Sequence, residues 1–155
     1  MKFIFSICIM LLLYLTSCQT SQSEVNTKKP TNITFHKSHL PQRQNTPFSA
    51  AVETENLLFL AGQIGKDHTK GVLVEGGIKA ETKQAIENIK AVLEQHNSSL
   101  DRVVKCTVIL ADINDFKEFN SVYVRYFPNK PARTTFAAGG LAANAKIEID
   151  VIAAK

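Results

Sequence analysis

PARTTFAAGGLAANAKIEIDVIAA, residues 131–154, is the stretch that decides the fold of this chain. It predicts two strands joined by a loop that contains glycine. In the first strand, Arg133 and Thr135 share one face because side chains alternate with a period of two. In the second strand, one face is apolar and the other is charged, with Ile147, Ile149 and Val151 opposite Lys146, Glu148 and Asp150.

Arg133 and Glu148 are the two charged residues of this stretch that suggest chemistry. We expect the polar faces of the two strands to present them together while the apolar faces build the core. A guanidinium holds a carboxylate in a planar, bidentate geometry, and a glutamate can orient or deprotonate water. The pair therefore suits binding and hydration of a small carboxylic acid. Taken alone, the residues favour a structural alternative, in which Arg133 caps a sheet edge and Glu148 is a solvated strand residue.

The remaining periodicity predicts further strands and two amphipathic helices. The second helix is expected to be capped by Asp112 and to turn Phe116, Phe119 and Tyr123 inward. This order describes an α+β domain in which two helices cover one face of a mixed β-sheet. The other face would be exposed unless subunits cover it, so we expect an oligomer. The predicted segments are strands at 33–36, 57–64 and 103–110, a loop or short hairpin at 66–77, and helices from Ile78 and Asp112.

The N-terminal residues predict export and lipidation. Residues 1–17 combine Lys2 with an apolar run that is too short for a comfortable membrane span, which is typical of a signal peptide. The sequence Leu-Thr-Ser-Cys ending at Cys18 looks like a bacterial lipobox; an ordinary secretory signal is the alternative. Residues 18–31 would then be the lipid anchor and a flexible polar tether, and residues 32–155 the folded domain.

The composition excludes several other classes of site. The formal net charge is +4, and the basic residues are scattered, so we expect no nucleic-acid binding. Cys106 is predicted to be a small buried residue of a strand and not a nucleophile. The four histidines lack a metal-binding spacing, so we predict no metal site and no cofactor. They are His36, His39, His68 and His96.

The sequence resembles the reactive intermediate (imine/enamine) deaminase family, known as RidA or YjgF. The resemblance extends from about residue 32 through FLAGQIG at 59–65, the helix at 81–96, the segment 103–127 and FPNKPART at 127–134, to the KIEI strand. It implies a RidA/chorismate mutase-like fold, assembled as a homotrimer with active sites in the clefts between subunits.

The resemblance also implies roles for particular residues. Arg133 would bind the substrate carboxylate, Glu148 would position the hydrolytic water, and Thr135 and Asn120 would line the pocket with Gly62. Two positions depart from the family pattern, which has hydroxyl groups there: Phe48 stands where the family has tyrosine, and Ala61 where it has serine. We expect a more apolar pocket as a result.

The function implied is hydrolytic deamination of 2-imino or enamine acids to 2-oxo acids, with release of ammonia and without a cofactor. The alternative is a non-catalytic protein that binds small carboxylate metabolites in the same cleft between subunits. A ribonuclease activity, attached to some members of the family, ranks lower because the sequence shows no histidine pair or basic groove. The expected location is the cell envelope, where lipidated Cys18 would anchor a periplasmic or surface-facing protein to a membrane.

Overall fold

The structure is a computed structural model that describes residues 32–155. The predicted signal peptide, Cys18 and the tether lie outside these residues. Within them, no helix is long and apolar enough to span a bilayer. The elements are β1 (Thr34–His36), β2 (Ala51–Glu53), β3 (Leu57–Leu60), β4 (Gln63–Ile64), β5 (Lys66–Asp67), β6 (Val72–Leu73), α1 (Gly77–Gln95), β7 (Val103–Leu110), α2 (Phe116–Tyr126), β8 (Ala132–Ala137) and β9 (Ile147–Ala154).

A mixed, seven-stranded sheet forms one layer of the domain. Its strand order is β1-β2-β3-β9-β7-β8, and β4 also pairs with β9. Strands β7 and β8 are parallel, and the other pairs are antiparallel. Strands β5 and β6 form a separate hairpin, as predicted for that segment. The predicted mixed sheet is thus confirmed, with β9 at its centre.

The core lies between this sheet and the two helices. Strand β9 buries every second residue, which confirms the alternation that predicted it. The inner face of α1 recurs at helical spacing and includes Ile86, Ile89 and Leu93, none of which is solvent-accessible. Each such fully buried side chain contributes about 1.5–3 kcal/mol. Cys106 is also fully buried, on β7, as predicted.

Two glycines let the chain approach other elements closely, as predicted for the 57–64 segment. The predicted strand is divided into β3 and β4, with Gly62 between them. A side chain at Gly65 would place its Cβ 2.5 Å from the Cα atom of Glu81 on α1. The buried Glu81 carboxylate in turn accepts a hydrogen bond of 2.8 Å from the Lys146 backbone N–H. This contact ties α1 to the start of β9.

The structure corrects three expectations for the C-terminal half. The two strands of residues 131–154 are not neighbours, because β7 lies between β8 and β9. Helix α2 begins after a 3₁₀ turn, and Asp112 caps that turn by accepting a hydrogen bond from the Asn114 N–H. Phe116 is 39% exposed and so lies outside the inner face of α2, whereas Phe119 and Tyr123 are buried as predicted.

The face of the sheet away from the helices carries exposed aromatic side chains. This agrees with the prediction that the helices cover only one face of the sheet. Phe35, Phe59 and Phe136 alternate along their strands with residues that face the helices, and they are 70%, 38% and 45% exposed. Exposed apolar groups that share one face of a sheet are typical of an interaction surface. We call this side of the sheet the open face.

Candidate active site in two halves

Arg133 lies on the helix-covered side of β8, where α2 holds its guanidinium. In the parallel register it is opposite the buried Cys106. Its Cζ atom lies 4.6 Å from the ring centroid of Tyr123 and 5.0 Å from that of Phe119. Its Nη1 donates a hydrogen bond of 2.8 Å to Oδ1 of Asn120, which fixes the orientation of the guanidinium plane. Cation–π contacts and this hydrogen bond therefore preorganise the arginine.

No carboxylate of residues 32–155 forms a salt bridge with Arg133. An arginine has five N–H donors, and Asn120 takes one of them. The half-buried guanidinium thus holds a positive charge that the domain itself does not neutralise. Such a group is suited to bind an anion through a bidentate pair of hydrogen bonds. We call Arg133, Asn120, Thr135 and Tyr123 the arginine pocket.

Two hydroxyl groups in the arginine pocket are buried without a hydrogen-bond partner in the described part of the chain. They are Oγ1 of Thr135 and Oη of Tyr123. Burial, together with the neighbouring Cys106 thiol, raises the pKa of Tyr123, so this hydroxyl stays protonated and can donate. Burial likewise raises the pKa of Cys106, which argues against a thiolate nucleophile. Buried hydroxyls without partners are uncommon, and here they lie beside a cation.

Glu148 lies on the other side of the sheet. It is in register with Ile64 on β4 and Ile109 on β7, and its neighbours Ile147 and Ile149 point into the core. Side-chain parity therefore places Glu148 on the open face, half-buried. The expectation that both polar faces would present Arg133 and Glu148 together within one chain is wrong, since the two residues occupy opposite sides of one sheet.

The Glu148 carboxylate rests against the backbone of Gly62. A Cβ atom added at Gly62 would lie 1.9 Å from Oε1 of Glu148, so any side chain there would displace the carboxylate. Gly62 and Phe48 line an open cleft of about 510 Å³ beside this contact. Ala61 precedes Gly62, is half-buried, and donates its N–H to the Ala50 carbonyl at 3.1 Å. We call Glu148, Gly62, Ala61 and Phe48 the glutamate cleft.

The same cleft contains two basic residues that sequence reasoning missed. Arg43 and His68 both line it. Arg43 Nη1 donates to Oε1 of Gln63 at 3.2 Å and lies 3.1 Å from Nε2 of His68. Because arginine is only a donor, that imidazole nitrogen accepts and the ring is neutral. Burial and then the charge of Arg43 lower the pKa of His68, in agreement with the neutral form. Residues 41–43 form a 3₁₀ turn. The sequence of this turn has no periodic pattern from which its place in the cleft could be predicted.

The predicted site residues thus form two groups. Arg133, Asn120 and Thr135 come together on the helix-covered side, and the remaining four gather in the glutamate cleft. The first group can bind an anion, and the second can hold a water or a proton beside a carboxylate. Neither group alone provides both functions.

Comparisons with known proteins identify the class to which this small α+β domain belongs. The family model described as Endoribonuclease L-PSP matches residues 39–155. The human 2-iminobutanoate/2-iminopropanoate deaminase is 42% identical over 108 residues, which are 69% of this chain and 79% of the human protein.

Solved structures give the same result. The crystal structure of yeast YEO7 has a TM-score of 0.73 and 45% identity, and the match covers 80% of this chain and 99% of that one. The crystal structure of E. coli TdcF with bound serine has a TM-score of 0.67 and 27% identity. This match covers 71% of this chain and 89% of TdcF. The chain belongs to the endoribonuclease L-PSP family, the RidA family that its sequence resembles, and shares its mixed α+β fold.

Proposed function

We propose that this protein hydrolyses 2-imino acids, and the enamines in equilibrium with them, to 2-oxo acids and ammonia. The site is shared between two copies of the chain, one supplying the arginine pocket and the other the glutamate cleft. The observation that carries this proposal is the location of Arg133 and Glu148 on opposite sides of one sheet. Two copies bring such residues together when the open face of one meets the β8 edge of the next.

Arg133 binds the substrate carboxylate in this proposal. Asn120 and the aromatic rings of α2 hold its guanidinium in place before the substrate arrives, which reduces the ordering cost of binding. The buried hydroxyl of Thr135 has no hydrogen-bond partner in the part of the domain that the structure describes, so it is available to the same carboxylate or to the imine nitrogen. The arginine pocket thus holds the carboxylate of the substrate, and the imine carbon faces the glutamate cleft of the partner copy.

Glu148 acts on water. Its carboxylate accepts a proton from a water molecule as the oxygen attacks the imine carbon, and that proton passes to the nitrogen. The tetrahedral carbinolamine then expels ammonia, and the C=N bond is replaced by C=O with one water consumed. General acid–base catalysis of this kind contributes about 10²–10⁴-fold. The cation of Arg43 lines the same cleft and supports an anionic substrate.

A homotrimer is the assembly we propose. The open face exposes Phe35, Phe59 and Phe136, and burial of such side chains stabilises an interface. Strand β8 is an edge strand of the sheet, so its outer backbone groups are available to a neighbouring copy. A cyclic arrangement with three equivalent interfaces would form three shared sites.

Support for the substrate class comes from the relatives. The human relative is named an imine deaminase, and TdcF holds serine, a small amino acid with a free carboxylate. Phe48 and Ala61 favour the second candidate, a protein that binds a carboxylate metabolite without turnover, because neither side chain can hydrogen-bond to a substrate. The enzyme is the stronger proposal, since a binding protein has no need for Glu148 against Gly62.

Co-assembly of two inactive variants tests both the shared site and the chemistry. Arg133→Ala and Glu148→Gln are purified separately, and ammonia release from a freshly generated imino acid is measured. The two chains are then unfolded, mixed in equal amounts and refolded together. Each shared site takes its arginine and its glutamate from different chains, so about a quarter of the sites become intact. Activity should rise from near background to about a quarter of the wild-type rate.

Light scattering verifies that the mixed sample is trimeric, and refolding each variant alone is the control. Trimers that gain no activity on mixing would exclude the shared site. Equal hydrolysis by the wild type and Glu148→Gln, at the rate of the uncatalysed background and with 2-oxo acid binding retained by both, would replace the enzyme with the binding protein.

For the N-terminus we propose a lipoprotein of the cell envelope, anchored through acylated Cys18. Residues 1–17 would be removed and residues 18–31 would link the lipid to the domain. Several acyl chains on one cysteine would give stable membrane attachment. Labelling with a fatty-acid analogue should mark the wild type and not Cys18→Ala; equal labelling of both would refute the anchor.

A further inference from the structure

We propose that His36, Glu53 and His96 form a binding site for a divalent transition-metal ion of the zinc class. Each of the three residues offers one ligand atom, and these atoms all lie within 4.8 Å of one another. The site is at the β1–β2 end of the sheet, whereas Arg133 is on β8 at the opposite edge. It is therefore separate from the arginine pocket.

Three different elements bring the ligands together. His36 ends β1, Glu53 ends β2, and His96 follows the last residue of α1. On β2, Glu53 and Ala51 share a face, and Ala51 is the antiparallel partner of His36, so the carboxylate and the imidazole both point to the helix-covered side. The N–H of Ala50 donates to the His36 carbonyl at 2.8 Å, and the His96 N–H donates to the Leu93 carbonyl at 3.0 Å. The backbone thus fixes both histidines.

The contacts among the three side chains are already close to those of a coordination sphere. His36 Nε2 lies 2.8 Å from Oε2 of Glu53, and the His36 and His96 ring centroids are 4.4 Å apart. A tetrahedral ion with bonds of about 2.0–2.1 Å separates its ligands by roughly 3.3 Å. All three side chains are half-buried and keep room to rotate, so the ligand atoms, which lie between 2.8 and 4.8 Å apart, can adjust to this spacing. The ion would replace the proton shared by His36 and Glu53.

The donor set selects the class of ion. Two imidazoles and one carboxylate suit zinc, cobalt, nickel and copper, whereas magnesium and calcium prefer oxygen ligands alone. Three protein ligands leave a fourth position for water. The set also explains why anion binding is not the better assignment, since the Glu53 carboxylate lies beside both histidines and would repel a phosphate.

Lys155 modulates the site. Its ammonium contacts Oε1 of Glu53, the carboxylate oxygen on the other side from His36. This contact orients the carboxylate and leaves Oε2 toward the histidines. Its positive charge also opposes a cation nearby, which limits the affinity. Replacing Lys155 should therefore strengthen metal binding while leaving every ligand in place.

Sequence spacing could not indicate this site. His36 and His96 are 60 residues apart, and Glu53 lies in a different strand. The prediction of no metal site rests on the absence of a compact histidine motif. Such motifs include only residues that are close together in the chain. Among residues 32–155, the cluster of His36, Glu53 and His96 is created by tertiary packing.

Zinc titration of the full chain in detergent, after removal of metal with a chelator, tests the proposal. Competition with a fluorescent zinc indicator should reveal one equivalent bound by the wild type. His36→Ala and His96→Ala should each weaken binding about 100-fold or more, and Glu53→Gln about tenfold. His39→Ala is the matched control, because this histidine is exposed and outside the cluster, and it should bind as the wild type does.

Two further measurements do not depend on the ligand variants folding well. Lys155→Gln should bind zinc about three- to tenfold more tightly than the wild type. Co²⁺ should give the intense visible absorption of a four-coordinate ion, and a hundredfold excess of Mg²⁺ should not remove it. Equal zinc affinity of the wild type and both histidine variants would overturn the proposal. So would weaker binding by Lys155→Gln, or Co²⁺ spectra that only report a six-coordinate, hydrated ion.

Discussion

The arginine pocket and the glutamate cleft differ in how much of each a single chain completes. Around Arg133, α2 supplies Asn120, Phe119 and Tyr123, so the guanidinium is oriented by contacts within one domain. Glu148 has the backbone of Gly62 beside it and an open cleft in front. The first half-site is preorganised by the fold, and the second depends on what covers the open face.

This difference between the two half-sites allows substrate binding and catalysis to be tested separately. In the proposed mechanism, a carboxylate can be held by the arginine pocket without Glu148, whereas turnover needs both halves. Variants of each half should therefore change different kinetic constants.

Gly62→Ala should damage the glutamate cleft most. The new Cβ would lie 1.9 Å from Oε1 of Glu148, so the flexible glutamate must move away from its position. We expect kcat to fall about 10²–10³-fold, within the range of general-base catalysis, while the affinity for a 2-oxo acid stays within a few fold. Gly139→Ala is the matched control, because no atom lies within 4 Å of the added Cβ there. Normal turnover by Gly62→Ala would remove Glu148 from the mechanism.

Arg133→Ala should affect the other half. It removes a charge-assisted hydrogen bond worth roughly 1.5–3 kcal/mol, which lowers 2-oxo acid affinity and kcat/KM about ten- to more than a hundredfold. Arg133→Lys should recover little, since an ammonium lacks the planar fork and stacks less well on the rings of Tyr123 and Phe119. Calorimetric titration with a 2-oxo acid measures this. Full recovery by lysine would show that charge alone, and not bidentate geometry, binds the substrate.

Thr135→Val should distinguish substrate binding from stability. The Thr135 hydroxyl is buried and has no hydrogen-bond partner within residues 32–155, so its removal should leave thermal stability unchanged or slightly higher. If the hydroxyl contacts substrate, KM should rise about three- to tenfold. Thermal unfolding and initial rates are measured on the same preparation. A loss of stability without a change in KM would make Thr135 a structural residue.

Asp150→Asn should give the smallest effect, and it concerns the open face. Burial raises the pKa of Asp150, against the opposing influence of Thr107 and Lys105. The folded state therefore binds this proton more tightly than the unfolded state. The resulting stabilisation is present at low pH and is lost as pH rises through the folded pKa. Asp150→Asn should raise the thermal midpoint at pH 7 by about one to three degrees, and change it little near pH 3. An equal shift at both pH values would refute this origin.

Most of the fold could be predicted from the sequence, because its signals are local. The alternation in β9 and the helical period of α1 report which side of each element is buried. The bends at Gly62 and Gly65 follow from close backbone contacts that only glycine permits. These features need no knowledge of distant residues.

The arrangement of the site could not be predicted in the same way. The alternation of side chains along each strand correctly predicted that Arg133 and Thr135 share a face and that Glu148 and Ile149 point to opposite faces. It could not predict where the two strands lie relative to each other. That relation depends on β7, which inserts between β8 and β9 and sets both registers. Arg43 was missed for a similar reason, since a 3₁₀ turn without periodic residues carries it into the cleft.

The central position of β9 has a consequence for how the chain folds during synthesis. This strand pairs with β3, β4 and β7, yet it is made after the other eight strands of residues 32–155. At about 5–20 residues per second, the ribosome needs roughly 6–24 s to advance from Thr34 to Ala154. Until then β3 and β7 lack the strand that joins them, and the nascent chain exposes two unjoined edges. The domain therefore closes its core only after nearly all of it has been translated, which makes chaperone binding most useful in that interval.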